Sequence, residues 1–363
     1  MTLSKRILDL AIQIQQISAP TFVEGPRGEF VRDLFVQEKL EDVSMDSLGN
    51  VYARLPGKQK KARALIVSAH LDTVFPAGTK LQIKEEAGKV FGPGIGDNSI
   101  GVAALFGILW AIRERQIELK HDVWFVANVG EEGLGDLRGM RGVVERFGGD
   151  EIGYLILEGL ALGHVYHRAI GVRRYRITAK TRGGHSWSDY GQPSAVHELA
   201  ALVTQLTQIR LPREPRTTMN VGTLHGGTGV NVLAAEAKCE LDLRSEDPLV
   251  LAKIISQVED MILHWNHEGV KIQAEVIGER PAGQIPADHP MVKLALDCVQ
   301  AQGLDATLTT GSTDANIPLS KGFPAVVMGV TTGSGAHTLS EQVDTEPIQK
   351  GIESLIRFVE LAG

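Results

Sequence analysis

Apolar and polar positions along the chain follow two periods, and the place where one gives way to the other divides the sequence. Near the start, Ile7, Leu10, Ala11, Ile14 and Ile17 recur at helical spacing with Asp9, Gln13 and Gln16 between them, which predicts an amphipathic helix. Residues 29–40 read as a second helix and 101–114 as a third. Between the helices stand short runs of continuous apolar residues. Residues 50–55 predict a strand, as do ALIVS (64–68, running up to His70), DVWFVANV (122–129) and YLIL (154–157). Apolar strands alternating with helices predict an α/β domain with a mostly parallel sheet and helices on both faces.

The middle of the chain changes period. VRRYRITAKT (172–181) alternates like a half-exposed strand, and 219–224, 235–244 and 270–277 are strand-like too. Helical patterns fill 194–209 and 249–267. The order β-α-β-β-α-β is the ferredoxin-like arrangement. Residues 171–279 therefore read as an inserted α+β domain, and 1–170 with 280–363 as one α/β domain. Helices at 291–302 and 347–361 and a strand at 325–328 complete the latter. A chain of 363 residues exceeds one ordinary core, in keeping with two domains.

Composition adds exclusions. The formal net charge of -7 argues against nucleic-acid binding. Cys239 and Cys298 stand in apolar contexts outside any CxxC pair and read as buried, reduced thiols, so no oxidising compartment is needed. The opening helix lacks the uninterrupted apolar core of a signal peptide. No stretch reads as long and apolar enough to span a membrane. A cytoplasmic protein with no membrane partner is the expectation.

The ionisable residues make a pattern of their own. His70, Glu131 and Glu158 each lie just past the C-terminal end of an apolar strand, the edge at which open α/β sheets bind ligands. SAHLDTVFP supplies His70 and Asp72, a metal ligand and an acceptor for its second N–H. Asp97 follows three glycines in FGPGIGDNSIG and reads either as a carboxylate bridging two metals or as a helix cap. Glu131 and Glu132 in GEEGLG would repel each other unless a cation intervened, with one as ligand and the other as base. The alternative is a solvated acidic loop. Glu158 in ILEG and His337 in GSGAHT have ordinary readings as surface and loop residues. Their order and strand-end placement together favour a metal centre. Nitrogen and carboxylate ligands without thiolates suit zinc, with cobalt or manganese able to substitute.

On these motifs the chain resembles the co-catalytic zinc metallopeptidase family of glutamate carboxypeptidase, acetylornithine deacetylase, succinyl-diaminopimelate desuccinylase, aminoacylase-1 and peptidase T. The resemblance runs through essentially the whole chain. It implies two zinc ions. His70 and Glu158 would complete one site and Glu132 and His337 the other. Asp97 would bridge both, with a cis peptide to Asn98. Asp72 would orient His70, and Glu131 would be the general base. In RGGHSWSDYG it implies that His185 stabilises the oxyanion, often across a dimer formed by the inserted lid domain. Asn231 would contact substrate and Arg280, in ERPAG, would grip a substrate carboxylate. Arg244 ranks lower, as a possible brace. Gly311 and Ser312 would line the pocket.

The expected activity is hydrolysis of an amide or peptide bond in a small peptide or N-acyl amino acid with a free carboxylate. The alternatives are a di- or tripeptide aminopeptidase like peptidase T and, from another class, a non-catalytic metal-dependent binding protein. Glu131 argues against the latter, as does the absence of an appended recognition module.

Overall fold

The computed structural model describes residues 1–59 and 63–362. They divide into two compact units, Met1–Ala169 with Gly283–Gly363, and Ile170–Ala282.

In the first unit, the centre of a nine-stranded sheet is parallel and almost entirely buried. Val123–Asn128 pairs with Leu65–His70, which pairs with Gly153–Glu158, which pairs with Ala325–Gly329, all in parallel. The continuous apolar runs follow from this position, because a strand covered on both faces has no solvent side to alternate with. Antiparallel strands finish both edges: Val51–Leu55 and Glu41–Met45 on one side, His164–Ala169 on the other. Thr307–Gly311 then runs parallel to His164–Ala169. Register brings His70 opposite Asn128 and Glu158 opposite Gly329, so the strand ends align along one rim.

Helix Ile100–Glu114 packs on the sheet, and Leu3–Gln15 and Ile348–Leu361 pack on that helix and on each other. Residues 95–114 correct one expectation. Their length and mean hydropathy of 1.6 do meet the requirement for crossing a membrane, yet 89% of the segment is buried inside this unit. It is the core helix of the α/β layer, apolar all round because it is covered all round.

The second unit has four antiparallel strands in the order Thr217–Gly226, Glu236–Ser245, Gly171–Thr181, Val270–Arg280. Helices Ala195–Leu206 and Pro248–His264 bury Leu199, Leu202, Ile254 and Val258 against Tyr175, Ile177, Leu241 and Leu243. Chain order and strand order are those of the ferredoxin-like fold. Asp247 caps the second helix by accepting from the N–H groups of Leu249 and Val250, ahead of Pro248 in the first turn. Cys239 and Cys298 are both free and buried.

Candidate active site

Six of the residues singled out by sequence converge at the rim of the parallel sheet. His70, Asp97 and Glu158 each offer a ligand atom within 4.8 Å of the others, as do Asp97, Glu132 and His337, and His70, Glu131 and Glu132. The two oxygens of Asp97 face opposite ways. Oδ1 is 3.1 Å from His70 Nε2, and Oδ2 is 3.0 Å from His337 Nε2. His70 Nε2 also lies 3.8 Å from Glu158 Oε2, and His337 Nε2 lies 3.3 Å from Glu132 Oε1. One carboxylate is thus shared between two histidine–carboxylate pairs.

Local sequence explains why Asp97 can stand there. Gly94 has φ of 77°, a left-handed conformation open to glycine at little cost. The chain then leaves helical geometry at Asp97 and Asn98, whose peptide bond is cis. Asn98 is buried. Its Nδ2 donates to Leu157 O at 2.8 Å and its Oδ1 accepts from Gly159 N at 3.0 Å. That ties the Asp97 turn to the strand end carrying Glu158. Gly159 must lack a side chain, since a Cβ there would meet Gly96 O at 2.0 Å.

Asp72 is fully buried and does more than the sequence suggested. His70 Nδ1 donates to the backbone carbonyl of Asp72 at 3.0 Å, while the nearer Asp72 carboxylate oxygen is 3.6 Å away. The carboxylate instead accepts from the N–H groups of Glu131 at 2.9 Å and Glu132 at 3.0 Å, and from Thr21 Oγ1 at 2.8 Å. One side chain therefore sets the direction of the adjacent glutamates, while its own carbonyl fixes the imidazole.

Glu341 was not foreseen. Buried four residues after His337, it accepts from Gly94 N at 2.9 Å, Gly96 N at 2.7 Å and Asp97 N at 2.8 Å. A small sheet supports this clasp, with Gln342 paired to Phe91 just outside the Asp97 turn. The available signal was only an acidic residue in a glycine-rich loop. Exchanging Glu341 for Gln is expected to weaken metal binding about 10- to 100-fold while leaving the circular dichroism spectrum unchanged. Metal titration followed by calorimetry checks this. Asp314 is a second buried carboxyl outside the sequence reading. It accepts from Asn128 Nδ2 at 2.7 Å, and burial holds its pKa well above the usual range.

The remaining predicted residues divide between the units. Gly311 packs on the Tyr166 ring in the first, and Ser312 is half-buried beside it. His185, Asn231, Arg244 and Arg280 belong to the second. Arg244 donates to Asp242, which Arg174 also contacts, so it braces the sheet. Arg280 is buried and ends the strand Val270–Arg280. His185 and Asn231 are exposed. His185 Nδ1 accepts from the N–H of Trp187 at 3.2 Å, which leaves the proton of a neutral ring on Nε2.

The donor set fits a divalent cation. Burial, opposed by the histidine partners and aided by neighbouring carboxylates, raises Glu132 and Glu158 to about 7. Bonds to Asp97 and Glu132 raise His337 to about 10. Contacts with Asp72, Asp97 and Glu158 raise His70 against the opposing effect of its own burial. Protons here do the work of positive charge, and a metal would displace them. The sign is the same for both residue types. A group with a raised folded pKa binds more protons folded than unfolded, so its contribution to stability falls as pH rises. For Glu132 and Glu158 the loss runs from about 4.5 to 7, and for His337 from about 6.5 to 10. Metal stabilisation runs oppositely, so the Tm gap between metal-loaded and metal-free protein is expected to widen from pH 5 to pH 8. Scanning calorimetry of both forms measures it.

Fold and cluster together define the class, a hydrolase of the metallopeptidase type. The chain belongs to peptidase family M20/M25/M40, whose model matches residues 66–361. It is 26% identical over 380 residues to the uncharacterized Bacillus subtilis protein YqjE, covering 100% of each chain. Among solved structures it is similar to a tripeptidase from Staphylococcus aureus, with a TM-score of 0.82 at 22% identity over 99% of this chain and 98% of that one. It is also similar to aminopeptidase PepT from Bacillus cereus, with a TM-score of 0.80 at 20% identity over 99% and 98%.

Proposed function

We propose that the protein is a two-zinc hydrolase that cleaves an amide or peptide bond in a small substrate bearing a free carboxylate. The observation that carries this reading is the division of Asp97 between His70 with Glu158 and His337 with Glu132. His70, Asp97 and Glu158 would hold one ion, and Asp97, Glu132 and His337 the other. Cobalt or manganese can occupy such ligands. When bound, the metals supply Lewis acidity, polarising a carbonyl and bringing the pKa of water toward neutrality.

The chain's own residues perform the proton transfers. Glu131, oriented through its amide by Asp72, accepts a proton from the attacking water and returns it to the leaving amine. His185 Nε2–H is a donor suited to the oxyanion, and Asn231 is a further polar contact. Arg280 would pair with the substrate carboxylate, with Gly311 and Ser312 lining the pocket. We assign Arg244 no more than a bracing part.

A panel of N-acyl amino acids and of dipeptides with free or blocked termini tests the substrate class. Hydrolysis is expected to need metal and to fall at least tenfold when the C-terminal carboxylate is amidated, since the charge-assisted pairing proposed between that carboxylate and Arg280 is lost. Cleavage that ignores the carboxylate and requires a free amine would establish the aminopeptidase reading instead. That second reading draws its support from the tripeptidase and PepT likenesses.

The 170–282 unit is proposed as a lid and homodimerisation domain of a cytoplasmic enzyme. Trp187 and Tyr190 are exposed beside His185, and Thr217–Gly226 is an open sheet edge, a feature that pairs readily with a second copy. Sedimentation at micromolar concentration is expected to give a dimer. A strict monomer of full activity removes any role for His185 across subunits.

A further inference from the structure

Between the motif that supplies His70 and Asp72 and the turn that supplies Asp97, the chain makes a long excursion through residues 74–93. This excursion builds a cleft of about 990 Å³ within the first unit, with His337 on its wall. His337 also lies 3.0 Å from Asp97, so the cleft and the metal cluster share this residue. Val74, Phe75, Phe91 and Leu339 give it apolar walls. Leu339 is 71% exposed and Val74 is 38% exposed, so part of this apolar lining faces solvent. The charged groups of the lining apart from His337 are Lys80 and Lys84, and no carboxylate lines it. Lys84 is already engaged, 2.5 Å from Glu86 and above the Phe91 ring. Lys80 is exposed and, among the described residues, has no carboxylate within ion-pair distance. Lys80 thus adds a cation to a cleft whose other walls are largely apolar.

We propose that this cleft is a substrate subsite that takes an apolar acyl or side chain tipped by a carboxylate, with Lys80 as the group that reads the acidic tip. The inference rests on the metal-centre reading above. The carboxylate concerned is a second one, distinct from the C-terminal carboxylate proposed for Arg280. The apolar body supplies affinity by leaving water, and the lysine supplies discrimination between acidic and neutral tips.

Two hydroxamates of equal chain length test it, octanohydroxamic acid and suberic monohydroxamic acid, because a hydroxamate anchors one end at a metal centre whatever the substrate. Binding to the zinc-loaded protein is measured by calorimetry, with no turnover needed. The acid-tipped compound is expected to bind about fivefold tighter than the methyl-tipped one, and the preference to shrink with added salt. Lys80→Glu is expected to reverse it, leaving octanohydroxamate binding within about twofold. Leu339→Ser is expected to weaken both compounds. Equal binding of the two, unchanged in Lys80→Glu, overturns the subsite and leaves the metal centre standing. No binding of either to zinc-loaded protein overturns the metal-centre reading and the subsite with it.

Discussion

Replacing Glu131 with Gln is expected to lower kcat by about 10³-fold or more while both metals remain bound, since general-base catalysis contributes roughly 10²- to 10⁴-fold. Glutamine keeps the shape of the side chain but not its basicity. The backbone N–H of residue 131 still reaches Asp72, so the neighbouring Glu132 keeps its orientation. Elemental analysis of the purified variant beside its wild-type counterpart separates chemistry from metal loss. Full-rate hydrolysis by a metal-replete variant would remove Glu131 from the mechanism.

Exchanging Asp97 for Ala has the opposite signature. Both oxygens of this carboxylate are committed, one to each histidine, so its loss strips a ligand from both candidate sites. Metal content is expected to fall toward zero at micromolar protein and activity to background, with added zinc failing to restore it. In the metal-free protein Asp97 is paired with His70 and His337, which hold its carboxyl below the usual range despite its burial, so the metal-free variant is expected to be less stable than metal-free wild type. A calorimetric scan in chelator checks that point. Retention of two metals per chain would show that Asp97 does not join the sites.

Sequence showed much of this because the central strands have no solvent face. ALIVS and YLIL are readable as strands from composition alone, and a polar residue at the end of such a run marks the rim. The edge elements left weaker traces. His164–Ala169 carries two histidines and an arginine among its six residues, and Thr307–Gly311 is mostly threonine, so neither shows an apolar run. The helix Arg138–Phe147 contains two glycines and four charged residues, and its helicity comes from burying Met140, Val143 and Val144 on one side. Residues that act through a neighbour were the hardest to see. The bond of Glu341 to three backbone amides depends on a loop meeting a turn far away in sequence, and no local pattern announces it.

That meeting has a consequence for synthesis. His70, Asp97, Glu131, Glu132 and Glu158 all precede the 170–282 unit, whereas His337 and Glu341 follow it. A nascent chain that has delivered most of the proposed ligands still lacks the clasp that fixes the Asp97 turn and the imidazole opposite Glu132. The ribosome must complete the entire second unit before the centre can close. A C-terminally truncated product would carry four of the five proposed ligands and the proposed base, yet lack the histidine of the proposed second metal site.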